Sequence, residues 1–257
     1  MKTPYHISFS GGRTSAYMTH YLLKNFSHLY DFIVTYANTG LEHEKTLEFI
    51  RNCDEHFGFK TIWLEPVIHS KKRSGTTHKI VSFETATRNT DLFESMIEKY
   101  GIPNIVYKHC TRELKIRPMN SYLRSLGLKP KNIPTAIGIR ADESRRCARD
   151  AEELNLLYPL VVDHPVDKQF VLNWWAQQIF DLGLEEHDGN CNMCFEKSFS
   201  KLLKQLESNP RALEFHLRME RIHGQTNNKP GMPARTFFRQ KKSALDVLSM
   251  SYQEVAA

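Results

Sequence analysis

The sequence predicts an α/β fold: a twisted parallel sheet flanked by helices, with a helical elaboration at the C-terminal end. In the first third of the 257-residue chain, short apolar segments alternate with amphipathic ones, which is the pattern of strand–helix–strand units. The composition, 40% hydrophobic and 25% charged, is that of a globular protein. The predicted strands are Tyr5–Phe9, Phe32–Ala37, Thr61–Leu64 and Thr135–Ile139.

Apolar residues that recur every three or four positions predict helices between and after these strands. Cys53 lies on the apolar stripe of the second helix and is interpreted as a small core residue. The predicted helices begin near Thr14, His43, Pro118 and Asp167, the last of these ending at Gly183, and three more cover Glu196–Leu206, Pro210–Ile222 and the residues from Ser243 onward.

The charge of the chain favours an anionic partner. The formal net charge is +6, and between Phe195 and Lys242 eleven Lys and Arg residues stand against four Asp and Glu. No segment approaches the roughly 18 consecutive apolar residues that a membrane span requires, and the first residues do not form a signal peptide. We therefore expect a cytoplasmic protein with no membrane partner.

A glycine loop lies between the first predicted strand and the first predicted helix. In that position backbone N–H groups and a helix N-terminus can surround phosphate oxygens, so the loop predicts phosphate binding. The alternative is a tight strand-to-helix turn with a Ser or Thr cap. The loop is not a Walker sequence, because the Gly-Lys-Ser/Thr ending is missing. Its residues are Ser10, Gly11, Gly12, Arg13, Thr14 and Ser15.

This loop resembles the pyrophosphate loop of the adenine nucleotide α-hydrolase superfamily, and most closely its phosphoadenosine phosphosulfate reductase-like branch. Further segments match in order: Tyr36–Glu42 is similar to the second nucleotide loop, Cys110–Pro118 to the Cys…Lys…Pro segment, and Gly138–Ser144 to the Gly-x-Arg segment. The resemblance extends from about Tyr5 to Lys197.

The resemblance implies an adenosine group at the carboxyl edge of the sheet, with its phosphates on the glycine loop. ATP or a related adenine nucleotide is the expected ligand, and Mg²⁺ is an optional companion. Thr14 stands where ATP-cleaving members usually carry Asp. The resemblance implies that the catalytic residues are Arg13, Lys115 and Arg140. The alternative for each of them is a solvated surface charge. The nucleotide-binding residues implied beyond the glycine loop are Asn38, Thr39, Gly40 and Gly138.

Three cysteines are candidate ligands of a metal centre. Cys191 and Cys194 form a CxxC, and Cys110 could supply a third thiolate. Adenylylsulfate reductases of this family hold a [4Fe-4S] cluster with a Cys-Cys pair and a later CxxC, and here His109 replaces the first cysteine of that pair. The resemblance therefore implies an iron–sulfur cluster with three cysteine ligands, and His109 as an alternative fourth.

Zinc and thiol–disulfide chemistry remain open at the same cysteines. Zinc would need four protein ligands, with His109, His187 or Cys147 completing the set. A redox-active pair at the CxxC is the third interpretation. Cys147 itself, beside two arginines, is interpreted as a surface residue without a chemical role.

The 257 residues contain no cysteine after Cys194, although the reductases use one for attack on sulfur. We therefore expect adenine-nucleotide-dependent sulfur transfer, in which an acceptor is activated by adenylation. The alternatives are a reductase and a non-catalytic, metal-stabilised regulatory module. A nucleic acid is one candidate acceptor, suggested by Arg235–Lys242, where aromatic residues interleave with cations. The sequence specifies no sulfur donor, and a homodimer is one assembly it allows.

The domain expectation follows from the same motifs. Residues 1–190 are expected to form the nucleotide-binding α/β domain. Residues 191–257 are expected to contribute the CxxC segment and a helical extension packed on that domain.

Overall fold

A computed structural model describes residues 2–71, 73–189 and 191–255, and it confirms the α/β architecture. The strands are β1 (Thr3–Ser8), β2 (Tyr30–Ala37), β3 (Ile62–Val67), β4 (Thr77–Val81), β5 (Thr135–Ile137) and β6 (Leu156–Leu157). They form one sheet in the order β4-β3-β2-β1-β5-β6. Only β4 runs antiparallel to its neighbour, β3, so the carboxyl ends of the other five strands meet at one edge.

Eight α-helices accompany the sheet in the described part of the chain. They are α1 (Arg13–Phe26), α2 (Glu44–Phe57), α3 (Asp91–Tyr100), α4 (Arg117–Ser125), α5 (Lys168–Trp175), α6 (Phe199–Ser208), α7 (Glu214–His223) and α8 (Ala244–Val255). A π-helical turn, Cys110–Ile116, leads directly into α4. None of these helices is long and apolar enough to cross a bilayer.

Local sequence explains where the site-forming helices begin and end. The ring of His43 caps α2 by accepting a hydrogen bond from the backbone N–H of Lys45, and Gly58 ends that helix in the left-handed conformation, with φ of 66°. The carboxylate of Asp167 caps α5 by accepting from the N–H of Phe170 at 2.8 Å. Helix α1 has no side-chain cap, so its N-terminal end is available to a ligand of the preceding loop.

Two hydrophobic clusters stabilise the molecule. The first lies between the sheet and α1, α2 and α5, and Cys53 is buried in it as expected. The second joins α3 and Leu114 to α6, α7 and α8. The C-terminal helices therefore pack on a helix from the first half of the chain. The expected domain boundary falls at residue 190, which lies outside the described residues.

The sequence reasoning missed four elements and extended one too far. Strands β4 and β6, helix α3 and the π-helical turn had not been predicted. The helix expected to run from Asp167 to Gly183 ends at Trp175, and Ile179 beyond it is 84% exposed. The chain after Trp175 instead turns back, which buries Leu182 and Leu184 against the first cluster.

Candidate functional site

The glycine loop connects β1 to α1 at the carboxyl edge of the sheet. Gly11 has φ of +76°, and a Cβ there would lie 2.8 Å from Thr46 Cγ2 and 2.9 Å from Ile50 Cδ1. Gly12 has φ of −105° and open space around its Cα, with Ser10 Oγ 3.8 Å from a built Cβ. Gly11 is therefore needed because a side chain there would collide with α2, whereas the absence of a side chain at Gly12 leaves space on the ligand side of the loop.

The Ser15 hydroxyl holds the loop together from inside. Ser15 is buried, its Oγ donates to Gly12 O at 3.0 Å, and it lies 2.8 Å from Ser10 Oγ. Gly138, after β5, approaches so closely that a Cβ would lie 2.8 Å from Ser15 Cα. Ser15 and Gly138 thus shape the loop, and the backbone N–H groups at the start of α1 remain the candidate phosphate donors.

Arg140 joins the loop to the segment after β5. Its Nη1 donates to Thr14 Oγ1 at 3.2 Å, while Nε and Nη2 bind the Asp142 carboxylate at 2.9 and 3.1 Å. Glu143 lies 3.3 Å from Nη2. The Arg140 side chain is 15% exposed, and these bonds hold its guanidinium beside Thr14, the residue that replaces the usual Asp.

Arg13 is held by the loop that follows α5 and contains Asp181 and Leu184. Its Nε donates to Asp181 Oδ1 at 2.6 Å, and its Nη1 donates to Leu184 O at 3.3 Å. The pKa of Asp181 is lowered, chiefly by the hydrogen bond from Arg13. Trp175 Nε1 donates to the Arg13 carbonyl at 2.9 Å, so this tryptophan supports the loop from the core.

The glycine loop, Gly138 and Arg140 line one cavity of about 310 Å³, a volume in the range of small-ligand sites. Three more cations, Arg146, Lys168 and Lys201, lie on its other walls. The Glu186 carboxylate binds both lysines, at 2.8 Å from Lys168 Nζ and 2.7 Å from Lys201 Nζ. Hydrogen bonds from Lys168 and then Lys201 lower the pKa of Glu186 to about 2.

These lysines were missed by the sequence reasoning. Lys168 is the first residue of α5, and Lys201 lies in α6, on the C-terminal side of the CxxC. No spacing in the sequence connects them, because only the fold of the intervening chain brings both to the Glu186 carboxylate.

The second predicted nucleotide loop follows β2, and its side chains stabilise its own conformation. Asn38 is fully buried and donates from Nδ2 to Glu65 Oε1 and Thr87 O, both at 2.8 Å. Thr39 donates from N and Oγ1 to Glu42, at 3.0 and 2.7 Å. Gly40 has φ of +83°, and a Cβ would collide with a neighbouring carbonyl oxygen at 2.2 Å. None of the three lines the cavity at the glycine loop, as the described residues define it.

The CxxC segment packs against this second loop. Cys191 forms an antiparallel bridge with Glu42, and Asn192 N donates to Leu41 O at 2.9 Å. On the other side Met193 N donates to Gln205 Oε1 of α6 at 3.1 Å. The segment is therefore anchored both to the carboxyl edge of the sheet and to the C-terminal helices.

The three predicted cysteines share one electrostatic environment with Lys115. A hydrogen bond from Cys191 lowers the pKa of Cys194 to about 7, and the same bond raises the pKa of Cys191 well above its usual value. Burial, with a smaller effect of Cys191, raises the pKa of Cys110 to about 11. Burial tends to lower the pKa of Lys115, but Cys191, Glu42 and the other two cysteines raise it above its usual value.

The cysteine cluster supplies the chemistry of a soft-metal site but not a formed coordination shell. Three thiol groups are the donor set that zinc and iron–sulfur clusters use. Within the described ranges, however, no group of three His, Cys, Asp or Glu side chains is arranged to hold a metal ion. The structure therefore brings Cys110, Cys191 and Cys194 together without showing a metal centre.

His109 faces a different shallow cavity, beside Tyr107 and Arg112. Its ring stacks on Tyr107 with 5.9 Å between centroids, and its Nδ1 lies 3.3 Å from Arg112 Nη2. Burial and then the charges of Arg112 and Arg235 lower its pKa.

The aromatic residues that suggested a nucleic-acid surface are in the core. Phe237 and Phe238 are each 2% exposed and belong to the second hydrophobic cluster, around His216. The stacking interpretation of Arg235–Lys242 is therefore wrong for these two rings, because neither can reach a base. Arg235 itself stacks on Tyr107, at 4.3 Å from the ring centroid.

Comparisons with known proteins agree with the ordered motifs. A family model described as the phosphoadenosine phosphosulfate reductase domain matches residues 4–155. The uncharacterized nin region protein ORF290 of Escherichia phage lambda is 32% identical over 199 residues, which cover 76% of this chain and 67% of the phage protein. Protein MJ0066 of Methanocaldococcus jannaschii is 23% identical over 202 residues, covering 79% of this chain but 35% of the archaeal protein.

Proposed function

The chain belongs to the phosphoadenosine phosphosulfate reductase family of the adenine nucleotide α-hydrolase superfamily, and we propose that it is an ATP-dependent sulfur-transfer enzyme. One observation carries the proposal: the glycine loop, the N-terminus of α1 and Arg140 line a single cation-rich cavity. A polyphosphate would suit that cavity because backbone N–H donors and positively charged side chains line it. They come from three parts of the chain: the glycine loop, the segment after β5, and helices α5 and α6.

In the proposed reaction an acceptor oxygen attacks the α-phosphorus of ATP. The bond from that phosphorus to the bridging oxygen breaks, pyrophosphate leaves, and the acceptor becomes adenylated. A sulfur nucleophile then displaces AMP from the activated acceptor. The N–H groups of the loop and the Arg140 guanidinium would stabilise charge on the phosphate oxygens, while Arg13 orients the loop through Asp181.

The cysteine cluster is the proposed sulfur-handling part of the site. Cys110, Cys191 and Cys194 would hold a [4Fe-4S] cluster, with His109 as an alternative fourth ligand and zinc as the alternative metal. When bound, a cluster with an open iron supplies a place for sulfur to bind. Anaerobic absorption spectra with iron, sulfide and zinc analysis test this assignment, and Cys53→Ser and Cys147→Ser are the matched controls for serine variants of the three cysteines.

We propose that the acceptor is anionic, because the chain carries an excess of positive charge. A nucleic acid is the candidate acceptor that this charge favours. The burial of Phe237 and Phe238 leaves electrostatic attraction as the support for that candidate. Steep loss of nucleic-acid affinity with rising salt would support it. Salt-insensitive or absent binding would instead favour a small acceptor.

Substitution of Gly12 tests the nucleotide site directly. Gly12→Asp fits the backbone, because φ is −105° and the space is open, but it places a carboxylate where phosphate oxygens would lie. We expect ATP affinity, measured by calorimetry, to fall at least about tenfold. Gly12→Asn has nearly the same shape without the charge and should bind more tightly than Gly12→Asp. Equal affinities for the wild type and both variants would place the nucleotide elsewhere.

Turnover separates the enzyme from a regulatory module. Anaerobically prepared protein should release AMP and pyrophosphate from ATP when an acceptor is present. Release of sulfite from phosphoadenosine phosphosulfate would identify a reductase instead. ATP binding without either product, across all candidate acceptors, would favour a non-catalytic nucleotide-binding protein.

A further inference from the structure

The loop between β3 and β4 carries two cations that the proposed reaction has not used. Lys71 and Arg73 are both exposed, and neither side chain forms an ion pair within the described part of the chain. The ammonium group of Lys99, in α3, holds the backbone of this loop, because it donates to Ser74 O at 2.8 Å and also to His69 O. The two exposed cations are therefore displayed by a loop that is already ordered, so less conformational entropy is lost when a ligand binds them.

The same loop packs on the π-helical turn. Thr76 Oγ1 donates to Glu113 Oε2 at 2.5 Å, and a Cβ at Gly75 would lie 3.0 Å from Arg117 Nη1. The other oxygen of Glu113 lies 2.7 Å from Arg112 Nε and 3.0 Å from Arg117 Nε. The Glu113 side chain is fully buried, whereas those of Arg112 and Arg117 are 50% and 45% exposed. One buried carboxylate thus holds two guanidinium groups at the surface, beside the loop.

Arg235 extends this surface on the far side of Tyr100. The guanidinium of Arg112 lies 5.7 Å from the centroid of the Tyr100 ring, and Arg235 Nη1 donates to the carbonyl oxygen of the same tyrosine at 3.4 Å. Nη2 of Arg235 donates to Asn227 O at 2.7 Å. Because both acceptors are neutral carbonyl groups, the charge of Arg235 is not neutralised by them.

The basic face defined by these contacts has more positive than negative charge. Its members are Lys71, Arg73, Lys99, Arg112, Arg117 and Arg235. Among the described residues, Glu113 is the one carboxylate that pairs with them. Glu98, next to Lys99 in sequence, lies one helical turn after Glu94, whose carboxylate binds Arg218 of α7, so Glu98 is on the side of α3 that faces α7. Six cations against one carboxylate are the pattern of a surface that binds a polyanion.

The basic face borders the cysteine cluster. Cys110 is the first residue of the π-helical turn, two positions before Arg112, and it is partly exposed, whereas Cys191 is buried. The nearby aromatic ring of Tyr107 is already occupied, because Arg235 and His109 both stack on it. A ligand of this face would therefore be held through contacts to its phosphates more than through base stacking.

We propose that the basic face binds the sugar–phosphate backbone of a single-stranded nucleic acid and places the strand beside Cys110. The role of the strand as acceptor rests on the proposed function, whereas binding of a polyanion rests on the charges alone. A single strand suits the site because bases within a duplex are not accessible to an enzyme unless they are flipped out. A second copy of this chain is disfavoured as the partner, since two basic faces would repel each other.

Fluorescence anisotropy of a labelled oligothymidylate, titrated with the full-length protein at a series of salt concentrations, tests the face. The double variant Lys71→Gln with Arg73→Gln should lower the slope of log affinity against log salt by about 1.4, because each phosphate contact on a single strand contributes about 0.7. At about 0.1 M salt its affinity should fall roughly 25-fold, since each contact then contributes a factor of about 5. Lys24→Gln with Lys60→Gln is the matched control. It removes the same charge from exposed positions before β2 and β3, at the opposite edge of the sheet, and should leave the slope unchanged.

Absence of strand binding by the wild type, or an unchanged slope in the Lys71 and Arg73 variant at wild-type melting temperature, would overturn the proposal. An equal loss in the control variant would also overturn it, because the attraction would then come from the net charge of the whole protein. Displacement of the strand by poly-L-glutamate at equal charge concentration would assign the face to an acidic protein partner instead.

ATP affinity and AMP release, measured on the same samples, separate this proposal from the proposed function. A protein that binds ATP but not the strand would refute the basic face as a docking surface. A protein that binds the strand but releases no AMP with any acceptor would refute the proposed reaction and leave the docking surface in place.

Discussion

Replacing Gly11 by alanine should destabilise the protein far more than the same change at its neighbour Gly12. A side chain at φ of +76° costs roughly 1–2 kcal/mol. The new methyl group would also lie 2.8 Å from Thr46 Cγ2 and 2.9 Å from Ile50 Cδ1, and overpacking of this kind costs about 1–3 kcal/mol. The expected loss for Gly11→Ala is therefore about 2–5 kcal/mol, whereas Gly12→Ala should stay within about 1 kcal/mol.

Urea denaturation measures both changes as shifts of the unfolding midpoint at constant slope. The partner variant Ile50→Val removes the Cδ1 atom that the new methyl group would meet. It should restore part of the stability of Gly11→Ala, although alone it costs about 0.5–1.5 kcal/mol. Equal midpoints for Gly11→Ala and Gly12→Ala would refute the assignment of Gly11 to packing and Gly12 to the ligand side.

Three further predictions concern the core, the cavity and the corrected aromatic pair. Burial lowers the pKa values of His6 and His216 from 6.5 to about 4, so the unfolded chain takes up protons at a higher pH than the folded protein does. The free energy of unfolding should therefore fall as the pH drops from about 6.5 to 4, by up to about 3 kcal/mol for each histidine. Denaturation of His6→Gln at the same pH values should show a smaller fall. Arg140→Met should weaken ATP binding, measured by calorimetry, at least about tenfold, because it removes a cation from the cavity and leaves the Glu143 carboxylate on the cavity wall without this partner. Phe237→Ala should lower the free energy of unfolding by about 3–5 kcal/mol while leaving the salt dependence of any nucleic-acid binding unchanged, since its ring is in the core.

The parallel part of the fold was predictable because each strand and helix carries its own periodic signal. The edge strand β4 was not, because it lies at the edge of the sheet with three of its five residues exposed. Helix α3 had a readable stripe in Phe93, Met96 and Ile97, and the sequence reasoning overlooked it. The end of α5 depended on tertiary packing of Leu182 and Leu184, which outweighed the helical spacing.

In the candidate site, too, the features with a local sequence signal were predictable and those that depend on the tertiary fold were not. The glycine loop and the CxxC were recognisable because their residues are adjacent in sequence. Lys168, Glu186 and Lys201 meet only through the folded path of the C-terminal segment, so no local spacing could indicate them. The burial of Phe237 also escaped prediction, because alternation of aromatic and basic residues is equally compatible with a surface and with a helix-packing core.

The π-helical turn Cys110–Ile116 gives the cysteine cluster an unusual sensitivity to chain length. A wide turn accommodates about one residue more than an α-helical turn does, and each α-helical residue rotates the chain by about 100°. Inserting one more residue between Cys110 and α4, which the turn has no further width to accommodate, would rotate Cys110 by about 100° and swing its thiol away from Cys191, while the sheet stays intact. The direction of the Cys110 sulfur thus depends on the number of residues in this turn as much as on the identity of any side chain.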